Sequence, residues 1–407
     1  DVPVKIIKLC FHYIGPLLLR IINTSIVTES VPSSWKCAVV IPLHKKGDPS
    51  EASNFRPITN VPSICKIIEK LVHQQITAYL DHHHLFSEDQ HGFLARHSTT
   101  TALLTMTDQI LAGMDRSELT LLALIDLSRC FDVVDHAALL TSLQQLQIST
   151  GWIESYLAGH TQRVRVGETL SDPHVIDIGT FQGSCLGPLL YNIISNNISC
   201  YIPSVTHGFH TFSVRYADDT QVAVTGPRSS LPELRLALET VLDTLGTWFS
   251  QHGMLVNAKK TEFLLCGDRR QLAYVTTPPQ IQFLGQTLPL SASVTNLGLV
   301  MDPALSWHLH ISAITKRCFG ILIGLMHIRH MVPVHILPML VDTLVISHVR
   351  YCMPVYGSTN RTGLARIQKI LNFAARVVSG RRRYDHVSDV VSELGWLRAC
   401  DMVSYFD

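Results

Sequence analysis

Apolar residues recur along this chain in two rhythms. "SICKIIEKLVHQQITAYL" (63–80) places Ile64, Ile67, Ile68, Leu71, Val72 and Ile76 at helical spacing, with Ser63 as the predicted N-cap. "STTTALLTMTDQILAGM" (98–114) predicts a second helix ending near Gly113, and 135–146 a third with Asp135 near its start. Further helices are predicted over 187–199, with Pro188 in the first turn, and over the amphipathic stretch 231–254. Strand signals fall between them. "CAVVIPL" (37–43) reads as a buried strand before the basic turn "HKKGDPS", and 118–127 as an apolar strand ending in an acid. "RVRVG" (163–167) alternates and turns. Residues 212–224 read as a hairpin, with Phe212, Val214 and Tyr216 on one arm and Val222 and Val224 on the other. Three helical stretches (306–329, 333–351 and 361–379) dominate the C-terminal part. Irregular alternation with hairpins predicts an α+β fold, an antiparallel sheet backed by helices over 35–300, joined to a helical C-terminal region.

Composition narrows the class. With 46% hydrophobic and 16% charged residues among 407, the chain is core-rich rather than disordered. The net charge of +1 neither supports nor excludes a nucleic-acid partner. No CxxC occurs among the ten cysteines, which argues against a zinc ribbon and a disulfide scaffold. Scattered thiols and no secretion signal predict an intracellular protein, nuclear or cytoplasmic. The N-terminal apolar stretch is broken by Lys5, Lys8, His12, Pro16 and Arg20, so it reads as a packing helix rather than a membrane span. "CFGILIGLM" (318–326) is too short to cross a bilayer. The first residue, Asp1, is expected of a segment of a longer product.

Chemistry enters with the carboxylates. "SVRYADDTQVAV" sets Asp218 beside Asp219 between two apolar arms. On its own "ADDT" reads as a turn. Adjacent acids emerging from a core repel, however, and a divalent cation removes that cost. A two-metal phosphoryl-transfer site needs carboxylates from more than one segment. "LLALIDLSRCFDVVDH" supplies Asp126 at the end of another apolar strand, and the two stretches together are better explained as a joint metal site than as separate caps. His82, His83 and His84 are consecutive and cannot all face one metal, so they read as a polar loop. Cys185 lacks a recognisable general base and reads as a packed residue.

"LIDLSRCFDVVDH", "GTFQGSCLGPLLYN" and "VRYADDTQV", in this order, resemble the palm motifs of reverse transcriptases, above all those of non-LTR (LINE-type) retrotransposons. "VPSSWKCAVVIPLHKKGD", "NFRPITNVPSICKIIEKLV" and "QHGFLARHSTTTALL" resemble the finger motifs of that family, and "VNAKKTEFLLCG" and "VTNLGLVMDPALSWHLHI" its next palm motifs. The resemblance implies a right-hand polymerase. It would have an N-terminal helical extension (1–34), fingers (35–118), a palm (119–300) with a finger insertion at about 140–180, and a helical thumb and C-terminal region (301–407).

The resemblance also implies roles. Asp126 and Asp218 would hold two Mg²⁺ ions, or Mn²⁺, with Asp219 supporting them, and Lys260 would lie near the leaving pyrophosphate. Phe131 matches the aromatic that excludes a 2′-hydroxyl, Gln182 and Gly183 the nucleotide-positioning loop, and Arg56 a triphosphate-binding arginine. Lys45 and Lys46, and the C-terminal Arg381, Arg382 and Arg383, suit nucleic-acid phosphates. Expected partners are an RNA template, a DNA primer or target, and dNTPs, without a membrane. Three positions depart from the pattern: Leu94 where arginine is common, Phe181 where proline is frequent, and Asn197 where an acid often stands. None removes a proposed metal ligand. The competing reading is a catalytically inactive RNA-binding relative that keeps the fold; an RNA-copying RNA polymerase is disfavoured by Phe131.

Overall fold

The structure, a computed structural model, describes residues 3–128 and 130–406; Arg129, within the first acidic motif, lies outside them. Its centre is a five-stranded antiparallel sheet in the order Glu262–Cys266, Glu118–Ile125, Asp219–Pro227, Phe209–Tyr216 and Val205–Thr206. The apolar run 119–125 is continuous because both faces of its strand are covered. Leu119, Leu121, Ala123 and Ile125 point into one core, with helices Ser63–His82, Gly187–Ser195 and Leu231–Gln251. Leu122 points into the other, with Ala223, Val214 and Leu264, against helices Thr99–Asp115, His308–Ile328 and Arg361–Ser379. That second core runs without a break from the sheet into the C-terminal helices.

A second sheet pairs Phe55–Asn60 with Cys37–His44, and the latter in parallel with His160–Val166. Here the expectation of a buried strand at 37–43 is corrected. Only Ala38 and Val40 are buried, while Ile41 and Leu43 are exposed, because this sheet stands outside the main cores.

The helices show how far local signals reach. Ser98 caps Thr99–Asp115 in a capping box with Thr101, and Asp135 caps His136–Gln145 by accepting the Ala138 N–H at 2.7 Å. Ser63, expected as an N-cap, is instead the first helical residue, and Pro62 holds the cap position. The helix expected over 187–199 ends at Ser195 and continues as a 3₁₀ segment to Tyr201. The helix expected over 333–351 is present without a break over 337–350, with a π-helical turn Asp342–Ile346 inside it. Two segments, Val4–Val27 and His308–Met331, are long and apolar enough to cross a membrane, which the short apolar run at 318–326 did not suggest. The second buries Ile311, Cys318, Leu322 and Leu325 in the second core and leaves Leu309, Ile323, Met326 and Ile328 exposed. The first leaves Leu9, Phe11, Tyr13, Leu17 and Leu19 exposed.

One buried ion pair ties these layers together. Arg215, on the strand leading to the acidic hairpin turn, has a side chain only 1% exposed. Its guanidinium donates to Asp89 at 2.9 and 3.3 Å, to the Ser195 carbonyl at 2.5 Å and to Ser199 Oγ at 3.1 Å. Asp89 also accepts from Ser199 and Ser213 at 2.7 and 2.8 Å, and from Ser87. Burial alone would raise the Asp89 pKa, but the Arg215 charge and the hydrogen bonds outweigh it and hold it at about 2.

Two outcomes test this pair. Asp89→Ala strands a buried guanidinium and should cost about 3–5 kcal/mol in denaturant unfolding, whereas the double replacement D89L/R215M should cost less than that single change. Because the folded pKa is depressed, the contribution of Asp89 is complete above its unfolded value of 3.8 and lost as the pH falls through about 2. Acid unfolding of the wild type should therefore show a loss on the order of 2 kcal/mol in that window that D89L/R215M lacks.

Candidate functional site

The central sheet delivers the acids to one end. Thr220 pairs with Ile125, so the two strands reach the same edge, with Asp126 leaving one and the acidic hairpin turn closing the other. Tyr216 pairs with Asp219, which makes Ala217 and Asp218 the two-residue loop. Ala217 takes a left-handed φ of 56° to close it. The adjacent acids are thereby separated in kind: Asp218 belongs to the loop and Asp219 is the first residue of the strand.

A cleft of about 720 Å³ lies over this edge. It is lined by eight of the residues singled out in the sequence: Lys45, Arg56, Asp126, Phe131, Gln182, Gly183, Asp218 and Lys260. Lys46, Asp219, Arg381, Arg382 and Arg383 are not in its lining. Lys46 stays on the exposed turn. The three arginines lie beyond the last long helix, where Arg381 forms a paired contact with Asp389, the Arg382 N–H donates to Asp385 at 2.7 Å, and Arg383 lies over the Tyr384 ring. A larger groove of about 920 Å³ lies among the C-terminal helices, but no carboxylate lines it among the described residues.

Acids and cations face one another in the cleft: Asp126, Asp132 and Asp218 line it together with Lys45, Arg56 and Lys260. Burial raises the Asp218 pKa, the charge of Asp126 adds to the shift, and Arg56 opposes it. Asp219 reaches solvent, yet the dense protein around the turn, then the charges of Asp218 and Asp126, push it up to about 6. Lys260 Nζ lies 4.0 Å from Asp126 Oδ2, a solvent-open contact that leaves the carboxylate available. Among the described residues, no group of three or more His, Cys, Asp and Glu side chains is arranged to hold a metal ion. The carboxylates lining this cleft are Asp126, Asp132 and Asp218, with Asp219 beside them.

The walls are fixed by backbone and aromatic contacts. Phe131 leans on Tyr191, with ring centroids 4.8 Å apart, and faces the edge of Phe93, so it packs against the core and lines the cleft at once. Gln182 Nε2 donates to Asp132 at 2.8 Å, and the Gln182 carbonyl accepts the Thr59 N–H at 2.7 Å. Gly183 has φ +116°, and a Cβ there would lie 2.5 Å from the Thr59 carbonyl oxygen, so only glycine fits.

Sequence reasoning missed the residues that hold these walls. Gln90 Oε1 accepts the Ala217 N–H at 3.0 Å and the Gly92 N–H at 2.7 Å, clamping the loop that carries Asp218. A Cβ on Gly92 would sit 2.1 Å from the Ala217 nitrogen. Glu69, fully buried, accepts from the Cys185 N–H at 2.6 Å, Tyr156 Oη at 2.9 Å and Cys65 Sγ at 3.3 Å, anchoring the segment that follows Gln182 and Gly183. Burial pushes the Glu69 pKa up, and those hydrogen bonds pull it back. The available signals were the glycine in "QHGF" and a lone glutamate on an otherwise apolar helix face.

Comparison with known proteins gives a consistent match. Residues 43–288 match the family model described as "Reverse transcriptase (RNA-dependent DNA polymerase)". The chain is 30% identical, over 74% of its length and 33% of the relative's, to the "Probable RNA-directed DNA polymerase from transposon BS" of Drosophila melanogaster. It is 25% identical to the "RNA-directed DNA polymerase from mobile element jockey" of the same organism, over 93% of this chain and 41% of that one. The chain thus spans between a third and about two fifths of the length of these relatives. Among solved structures, telomerase from Candida albicans aligns with a TM-score of 0.46 at 12% identity, over 93% of this chain and 68% of that one.

The Gln90 clamp makes a local prediction. Gln90→Ala should speed hydrogen exchange of the Ala217 amide about fivefold, the equivalent of about 1 kcal/mol, and leave the Val222 amide in the strand interior unchanged. Equal protection at Ala217 in both proteins would remove the clamp.

Proposed function

We infer that this chain, which belongs to the reverse transcriptase family, is an RNA-directed DNA polymerase that extends a primer 3′-hydroxyl on an RNA template, in the service of copying a LINE-type retrotransposon. The observation that carries the reading is the convergence of Asp126 and Asp218, from two separate strand ends, in one cleft with Phe131, Gln182 and Arg56.

The residues fit a divalent cation. Burial raises both Asp218 and Asp219, Asp126 adds to the shift of each and Asp218 to that of Asp219, a cost that bound positive charge relieves. Two carboxylates suit Mg²⁺, which takes one or two from protein and completes its shell with water and substrate phosphates. Asp126 and Asp218 would hold the two ions, Mg²⁺ or Mn²⁺, with Asp219 beside them. Bound there, the ions supply activation of the primer hydroxyl and neutralisation of the leaving pyrophosphate.

The chain's own side chains do the rest. Arg56, on the strand Phe55–Asn60, offers a fork of donors to the triphosphate, and Lys45 stands at the same wall. Lys260 places its ammonium beside Asp126, where leaving-group charge would gather. Gln182, oriented by Asp132, and Gly183, pressed to Thr59, set the floor for the incoming nucleotide. Phe131 cannot withdraw from the cleft without losing Tyr191, so a 2′-hydroxyl meets a backed ring. The inactive-relative reading has no specific support, since Asp126, Asp218 and Asp219 are all present at one edge.

Purified protein, a primed RNA template, dNTPs and Mg²⁺ should give primer extension, and Asp218→Ala should abolish it while template binding is kept. Absence of extension under conditions where a control enzyme works would sink the reading. Phe131→Val should raise the ratio of ribonucleotide to deoxynucleotide incorporation, measured by single-nucleotide extension; an unchanged ratio would count against the gate.

A further inference from the structure

We propose that the groove between helices His308–Ile328 and Arg361–Ser379 binds an unpaired segment of RNA at a site separate from the polymerase cleft, an inference that rests on the reading that this chain works on RNA. The groove shares no lining residue with the cleft. Five cations line it, Arg329, Lys369, Arg376, Arg381 and Arg383, and no acid does among the described residues. In a chain whose net charge is +1, that is a strong local imbalance.

Compensation inside the protein is partial. Arg381 is paired with Asp389. Arg376 donates through Nη2 to the Asp385 carbonyl at 3.1 Å, but its Nε is buried without a partner. Arg329 lies flat against Gly380, where an added Cβ would meet the guanidinium at 2.3 Å. Lys369 is exposed. The groove therefore presents positive charge that calls for a polyanion.

Between the cations the lining is largely apolar, with Phe319 and Phe373 half-buried against the second core. Phe319 and Phe373 stack with centroids 5.4 Å apart and planes 22° apart, and Ile323 and Met326 are about half exposed beside them. Cations alternating with aromatic and aliphatic faces match a strand whose phosphates and bases are both free. A duplex hides its base faces and offers phosphate alone. An acidic peptide offers charge without flat rings, and an anionic membrane surface is the other source of negative charge.

The test uses the full chain and a 12-nucleotide unstructured RNA carrying 4-thiouridine. Photo-cross-links should map to peptides containing residues 319–329 and 369–383, as well as to the cleft. In fluorescence anisotropy, M326E/K369E should weaken binding about tenfold and flatten its salt dependence by about 0.7 in log–log slope, one phosphate contact on a single strand. Lys369→Arg, which keeps the charge, should bind with wild-type affinity, and thermal unfolding should show both variants folded. An abasic strand of equal charge should compete less well than RNA. Cross-links confined to residues 45–260, unchanged affinity in M326E/K369E, or equal competition by duplex RNA, a polyglutamate peptide or phosphatidylserine vesicles would overturn the proposal. Primer extension by the same wild-type preparation is read separately, so failure of the polymerase reading appears as no extension with the groove cross-link intact.

Discussion

The buried guanidinium of Arg215 is the constraint on which the acidic edge depends. An arginine in a core is tolerated only when its donors are matched, and here Asp89, Ser195 and Ser199 match them. Those partners come from the loop after helix Ser63–His82 and from the end of helix Gly187–Ser195 and the turn that follows. Satisfying one charge therefore pins the loop after helix Ser63–His82, a helix end and the hairpin strand to one another. Backbone bonds continue the clamp, from Arg215 N–H to the Asp89 carbonyl and from His91 N–H to the Arg215 carbonyl. Gln90 then reaches the loop itself.

That rigidity gives the acids their electrostatic character. Like charges that could splay into water would not remain near one another. With the loop held by Gln90 and Gly92, Asp218 stays close enough to Asp126 for their repulsion to raise its pKa. The opposite wall is held by the same kind of device. Glu69 gathers the segment after Gly183 through the Cys185 N–H, and Thr59 gathers Gln182. The Gln182–Gly183 wall and the acidic loop are thus positioned by polar contacts from residues that do not themselves line the cleft.

The C-terminal helices share the back of the sheet that carries the acids. Leu122, Ala223 and Leu264 on that face contact the core that extends to Ile370 and Ala374. This continuity joins a cleft lined by both acids and cations and a groove lined by cations alone through one packed interior, on a chain that is nearly neutral.

The order of elements was readable because it is written in local periodicity. The apolar run 119–125, the arms of the hairpin and the helix near 63–80 carry their rhythm in adjacent residues. Asp126, Phe131, Gln182 and Asp218 were legible as a set through the resemblance of their motifs, and the structure brings them into one cleft. The half-exposed face of Cys37–His44 was not legible, since burial depends on what a sheet packs against and not on its own composition. Nor was the separation of Asp218 from Asp219, which follows from the two-residue loop and strand register. Gln90, Glu69 and Arg215 stayed hidden for the same reason. Each is a polar residue whose role lies in partners more than 80 residues away or in another element altogether. Local pattern determined which segments are strands and helices and which residue types could do chemistry. Only tertiary packing, by requiring every buried charge and backbone donor to find a partner, decided where those residues are held.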